Sequence, residues 1–221
     1  MMKHFRRDLR EERGNCFLYG CVTLVILALL GGLVVFLTVR YATQQLRDRY
    51  TEETPVELPT VDMAQSDIDA LITRVDAYAN DLRDDQPLEP ITLTQAELNA
   101  LLQNHPDLKD TYGDRIYVTL GDSTITTQMS LPLDWLPFFR NRYFNGSATF
   151  DVGFVGGRAQ IFLNAASVKG ENVPLDQVDE LRRTNFADEW ANDPDARSLM
   201  DKIDTIKVTA DGVTITPVKK A

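Results

Sequence analysis

Apolar and polar positions divide this chain into zones of different period. From Phe17 to Val39 the sequence reads FLYGCVTLVILALLGGLVVFLTV, 23 residues without a charge. As a helix it would be about 34 Å long, enough to cross a hydrocarbon core of roughly 30 Å. A helix on the surface of a globular domain carries a polar stripe, and this one has none. A cleaved signal peptide has a shorter apolar region, of about 7 to 15 residues, ending in small side chains. This run ends in Thr38-Val39-Arg40-Tyr41, so we read it as a retained transmembrane helix. The lipoprotein-like Leu18-Tyr19-Gly20-Cys21 stands at the start of the run, where such a box has no meaning.

The helix is expected to continue through 40–53 and to break in the linker Thr54-Pro55-Val56-Glu57-Leu58-Pro59. Over 61–84 the period is helical. Ile68, Leu71, Ile72, Val75, Tyr78, Ala79 and Leu82 recur at spacings of three and four, behind Ser66 as N-cap. A turn rich in Asp and Pro follows to Pro90. Ile91–Leu93 then alternate as a short strand, and Thr94 with Glu97 forms a capping box for a helix with Leu98, Leu101 and Leu102 on its apolar face. His105-Pro106 ends that helix.

From Arg115 the period is two. Ile116, Val118 and Leu120 lead through Gly121-Asp122 to Ile125, Thr127, Met129 and Leu131. Ala148, Phe150, Val152 and Phe154 lead through Gly156-Gly157 to Ile161, Leu163 and Ala165. A helix is expected within 175–190, with Val178, Leu181, Asn185 or Phe186, and Trp190 on one side. Another is expected near 194–202, capped by Asp193 with Pro194 at its first position. The chain closes with 205–210 and 213–216 around an Asp211-Gly212 turn. The pattern predicts an α+β fold: an antiparallel sheet of about six or seven strands in hairpins, packed with about three or four helices. The divisions are a tail (1–16), the transmembrane helix (17–39), a juxtamembrane helix and linker (40–60), the amphipathic helix (61–87) and an α+β domain (88–221).

Charge gives an orientation. The whole chain carries 23 Lys+Arg, 33 Asp+Glu and a net −10. Residues 1–40 contribute +3 and residues 41–221 contribute −13. Lys3, Arg6, Arg7, Arg10 and Arg13 precede the apolar run, against Arg40, Arg47 and Arg49 just after it. A cytoplasmic N-terminus and an extracytoplasmic C-terminal domain follow, in the cell (plasma or inner) membrane. An acidic domain also argues against nucleic acid as a partner.

The chemical inventory is thin. Cys16 and Cys21 flank the start of the apolar run, and Ala28 with Gly32 makes a small-xxx-small pair, best read as lipid-facing. His4 lies in the tail, and His105 reads as a helix-end residue. No nucleophile elbow and no phosphate-binding glycine loop is present. Asp188, Glu189, Asp193 and Asp195 cluster around Trp190 without EF-hand spacing, and read as a solvated surface. Asn145-Gly146-Ser147 fits a glycosylation sequon but reads as a turn.

One segment stands out. Five of the ten residues from Trp135 to Phe144 are aromatic and two are Arg. Trp135, Leu136, Phe138, Phe139, Arg140, Arg142, Tyr143 and Phe144 are therefore the candidate contacts for a ligand or partner. The competing reading is that these rings plug one end of the core. A strand surface of Phe150, Phe154, Ile161 and Leu163 could likewise enclose an apolar ligand.

Three segments carry a resemblance: Ile91–Leu102 (ITLTQAELNALL), Lys169–Pro174 (KGENVP) and Ile206–Ile215 (IKVTADGVTI). Together with the N-terminal span they resemble the YpmS-like group of membrane-anchored extracytoplasmic bacterial proteins. That resemblance covers roughly 17–40 and 88–216 and implies neither an enzyme activity nor a mapped site. The expected function is that of a single-pass membrane protein, not an enzyme and without metal or cofactor. Its outer domain would bind an apolar or lipid-like envelope ligand or a membrane-protein partner, with the lipid bilayer as partner of the 17–39 helix. A structural subunit of a membrane or envelope complex is the alternative, and a carboxylate-dependent hydrolase is a third reading.

Overall fold

The computed structural model describes residues 30–34, 37–38, 40–174, 176, 178–188 and 192–219. Two units are distinguished, Met1–Arg49 and Tyr50–Ala221. In the first, the described residues are helical. The expected transmembrane segment 17–39, with Cys16, Cys21 and Ala28, lies largely outside the described residues. Among those described, no helix is long and apolar enough to cross a membrane.

The second unit is α+β, with antiparallel strands in two sheets. In chain order it holds α1 (Gln65–Arg83), β1 (Ile91–Leu93), α2 (Gln95–Asn104), α3 (Lys109–Tyr112), β2 (Ile116–Gly121) and β3 (Thr124–Pro132). Then come β4 (Tyr143–Val155), β5 (Arg158–Val168), β6 (Glu171–Asn172), α4 (Asp179–Arg183), α5 (Pro194–Met200), β7 (Ile203–Thr209) and β8 (Gly212–Pro217). The single sheet of the sequence reading is two: a five-stranded sheet in the order β2-β3-β4-β5-β6 and a three-stranded one in the order β1-β8-β7. Hairpin periodicity predicts neighbours but says nothing of where sheets separate.

The helical stripe of α1 is the expected one, and it packs on α2 and the small sheet. Leu71, Leu93, Ala100 and Leu101 are buried there, with Ile72, Val75, Ile91 and Leu98 packed around them. The predicted cap differs. Ala64, not Ser66, is the N-cap, and it offers no side-chain acceptor. The capping box of Thr94 and Glu97 forms as read, and so does the Asp193 cap of α5, which accepts from the Asp195 and Ala196 N–H groups. His105 closes α2. Its Nδ1 accepts from the Asp107 N–H (3.2 Å), and its Nε2 meets Asp76 of α1 (3.0 Å).

Two asparagines cap the edges of the five-stranded sheet: Asn99, which the sequence pattern does not mark, and Asn185, which it places on one side of a helix within 175–190. Asn99 on α2 is fully buried. Its Oδ1 accepts from the Val118 N–H and its Nδ2 donates to the Val118 carbonyl, both at 2.7 Å. Gln95, one helical turn earlier, accepts from the Leu120 N–H at 3.0 Å. β2 is an edge strand, so α2 supplies the ladder bonds that a further strand would have made. Beyond the reach of β6, Asn185 does the same for β5. Its Oδ1 accepts from the Ile161 N–H (2.9 Å) and its Nδ2 donates to the Ala159 carbonyl (3.2 Å).

Turn chemistry is partly as expected. Gly156 and Gly157 both have positive φ (59° and 74°), as a tight hairpin with right-handed strand twist requires. The last hairpin turns one residue earlier than read, through Ala210-Asp211, and Gly212 already pairs with Thr209. Gly212 is glycine for a different reason. A Cβ there would stand 2.8 Å from the Leu93 carbonyl oxygen, so glycine admits β1 beside β8.

Candidate functional site

The Trp135–Phe144 segment does not act as one surface; the fold splits it in three. Leu133–Asn141 is a loop between β3 and β4, and from it Trp135 and Phe138 project into solvent, 77% and 71% exposed. Leu136 and Phe139 are half-buried, while Arg140 is exposed. Tyr143 and Phe144 begin β4.

Arg142 corrects the sequence reading of a cation offered to anions. It is buried, and its guanidinium is committed within the chain. Nε donates to Thr51 Oγ1 (2.8 Å), Nη2 to the Thr51 carbonyl (2.7 Å) and Nη1 to Glu53 Oε1 (3.0 Å). Beside it, Glu52 and Tyr143 exchange both backbone hydrogen bonds, at 2.9 and 2.8 Å. Residues 51–53 thus continue the ladder along β4 past the end of β5. The helix reaches only Tyr50, three residues short of the expected end, because Thr51–Glu53 are drawn into this pairing.

Asn145 extends the same clasp and removes the glycosylation reading. The sequon residues lie inside β4, not in a turn. Asn145 is 3% exposed. Its Nδ2 donates to the Thr54 carbonyl (2.9 Å), and its Oδ1 accepts from Ser130 Oγ (2.8 Å) and from the Val56 N–H (3.3 Å). The 54–59 stretch is therefore strapped down rather than a free linker. Gln103 holds its far end, bonding the Pro59 carbonyl and the Val61 N–H, each at 3.2 Å.

The third part of the segment lines a cavity. Phe144, Ala148 and Phe150 of β4 and Leu163, Ala166 and Val168 of β5 form the floor of an open apolar groove of about 400 Å³. One extra residue in β5, opposite Thr149/Phe150, makes this floor continuous. The bulge switches the inward residues from Ala166 and Val168 to Leu163, so Ala165, expected inward, is exposed. Gly146 stands between Phe144 and Ala148 in β4, where a Cβ would meet the Phe144 ring at 3.0 Å and the Ser167 carbonyl oxygen at 2.7 Å. Val173, Val178, Leu181 and Phe186 form the opposite wall. That wall stands on few supports: α4 is a five-residue helix with no buried residue. Phe186 meets Phe150 edge-on at a centroid distance of 5.5 Å. Leu181 and Phe186 remain 49% and 41% exposed, an unusual state for large apolar side chains facing a cavity. The expected helix within 175–190 is reduced to α4, and Trp190 lies outside the described residues. Of the strand surface read from sequence, Phe150 and Leu163 line the groove.

Two acidic groups of the expected Trp190 cluster have structural partners. Asp193 caps α5, and Asp188 accepts from Asn185 (2.8 Å). Among the described residues no group of three or more His, Cys, Asp or Glu could hold a metal. Burial would raise the Glu97 carboxyl, but bonds from the Thr94 N–H, the Arg74 guanidinium and the Thr94 hydroxyl outweigh it and hold the group below the usual carboxylate range. Burial pushes the Tyr78 phenol up. A larger hollow of about 590 Å³ between the 84–90 turn and the end of β8 mixes Asp85, Glu89 and Lys202 with apolar walls.

Comparison of the chain with protein-family models, with characterised proteins and with solved structures finds no match. The YpmS-like resemblance therefore rests on the N-terminal span and its three segments, with no family model or relative beside it. The three segments fall on β1 with α2, on the β5–β6 connection with the residues after it, and on the β7–β8 hairpin. None of them contributes the exposed aromatic loop, and only the second touches the groove, through Val173.

Proposed function

We propose that this protein is a single-pass membrane protein, anchored by residues 17–39 with its N-terminus cytoplasmic. Its outer domain binds one apolar chain of a lipid-like molecule in the groove between β4–β5 and α4. The observation that carries the reading is the groove's lining: Phe144, Phe150, Leu163 and Val168 face Leu181 and Phe186 across about 400 Å³ of open space. That volume lies within the range of small-molecule sites, which are mostly apolar with few polar groups. The exposed Leu181 and Phe186 lose solvent contact when the groove fills, and each large side chain so covered contributes about 1.5–3 kcal/mol at full burial.

The experiment is a titration of the purified full-length chain with a fluorescent fatty acid. Leu181→Asp and Phe186→Asp alter partly exposed positions of the wall, the second also giving up the edge contact with Phe150. Each is expected to weaken binding about tenfold or more, equivalent to 1.4 kcal/mol. A folded wild-type chain that takes up no probe, or variants that bind as wild type, would overturn the groove assignment.

A further inference from the structure

The Leu133–Asn141 loop is ordered without using its two most exposed rings. The Leu136 N–H donates to the Leu133 carbonyl (2.9 Å) and the Phe139 N–H to the Leu136 carbonyl (3.2 Å), forming two successive turns. The Asn141 N–H donates to Asp134 Oδ1 (2.8 Å) and the Leu133 N–H to the Arg142 carbonyl (2.8 Å), closing the base. Trp135 and Phe138 stand outside this framework. Phe138 has φ +71°, a left-handed conformation that bulky L-residues rarely adopt. The other non-glycine residues described with positive φ are Asp85, Ser123, Asn141 and Lys169, all polar. Glycine or asparagine would sit at 138 without strain, so the phenyl ring is held outward against the local preference of the backbone.

Chain length says what the rings meet. Arg142, at the base of the loop, grips Thr51. Residues 40–50 alone separate Thr51 from Val39, the end of the transmembrane segment. Eleven residues reach roughly 17 Å as a helix and at most about 40 Å extended, and all eleven are helical. Covalent connection therefore keeps the base of the loop within at most about 40 Å of the end of that segment. We infer that this loop inserts Trp135 and Phe138 into the interface of the membrane that holds the 17–39 helix, with Arg140 at headgroup level. Aromatic side chains settle at that depth, and an exposed arginine beside them meets lipid phosphate. The inference rests on the transmembrane reading above and gives the domain a second membrane contact.

The test uses the full chain in phosphatidylcholine vesicles. The chain has two Trp, so Trp190→Phe leaves Trp135 as the sole reporter; the difference between wild type and Trp135→Phe gives the same signal without that change. Lipids brominated on the acyl chain are expected to quench Trp135 emission at least twofold, and Phe138→Ser to halve that quenching with the urea midpoint not lowered. A chain that resists alkaline extraction while Trp135 stays unquenched overturns the loop contact and leaves the anchor standing. A chain released by alkaline extraction overturns both.

Discussion

The carboxamide of Asn99 gives Val118 both of the backbone bonds that an added strand would have made, at 2.7 Å each, in a site with no solvent access. Asn99→Ala removes both partners at once. The Val118 N–H and C=O are then left facing a small void, and each buried, unpaired polar group costs about 1–3 kcal/mol. The third bond of Asn99, to the Gln95 carbonyl, matters less, because that oxygen keeps its helical partner. The expected loss is therefore about 2–6 kcal/mol, a large part of the roughly 5–15 kcal/mol that holds an ordinary domain together. Asn99→Asp adds a sign. It keeps the acceptor for the Val118 N–H but sets a carboxylate oxygen against the Val118 carbonyl. Its folded pKa must rise above the unfolded value, so this variant recovers stability relative to wild type as pH falls. Urea unfolding of the full-length chain followed by near-ultraviolet circular dichroism measures both, with an unchanged slope confirming that the folded state is intact. A midpoint for Asn99→Ala equivalent to less than about 0.5 kcal/mol, the usual range for surface changes, would refute the edge-capping account.

Three further outcomes are expected. Arg142→Met leaves the Thr51 hydroxyl and carbonyl without their buried donors and should cost about 2–4 kcal/mol, with protease cleavage appearing first within 51–59 on a limited digest. Phe138→Gly relieves a left-handed conformation worth roughly 1–2 kcal/mol, less the roughly 0.5–1 kcal/mol entropy of an added glycine. The chain should unfold at a slightly higher urea concentration. Because Glu97 has a lowered pKa in the fold, wild type should exceed Glu97→Gln in stability above the unfolded carboxylate value of about 4.3. That margin should shrink as pH falls through the lower folded value, read from paired thermal melts across the acid range.

What was legible in the sequence were the elements whose signals are local. The Thr94–Glu97 box, the Asp193-Pro194 start, the Gly156-Gly157 turn and the stripe of α1 each depend on residues a few positions apart, and all four form. Signals that depend on distant partners were not legible. Arg142 reads as an exposed cation until Thr51, 91 residues away, supplies its acceptors. Asn145 reads as a sequon until Ser130 and the Thr54 carbonyl bury it. Asn99 and Asn185 sit among residues of ordinary helical or loop character, and only the two sheet edges show why an amide is needed there. A helix face with Gln95 and Asn99 one turn apart, otherwise apolar, was the one available hint. The apolar groove was half visible. The alternation of β4 gave its floor, while the bulge in β5 and the shortness of α4 could not be read from periodicity.

The clasp on Thr51 also sets a path for mechanical load. Tyr143 and Asn145 belong to β4, the central strand of the five, and the Glu52–Tyr143 pairing joins the incoming chain to that strand directly. Tension along the polypeptide at Tyr50 is therefore borne by the Arg142 fork and the middle of the large sheet before it reaches 55–64 or α1. The half of the domain built on α1 and the small sheet lies further along the chain than this clasp, whose side-chain bonds come from Arg142 and Asn145.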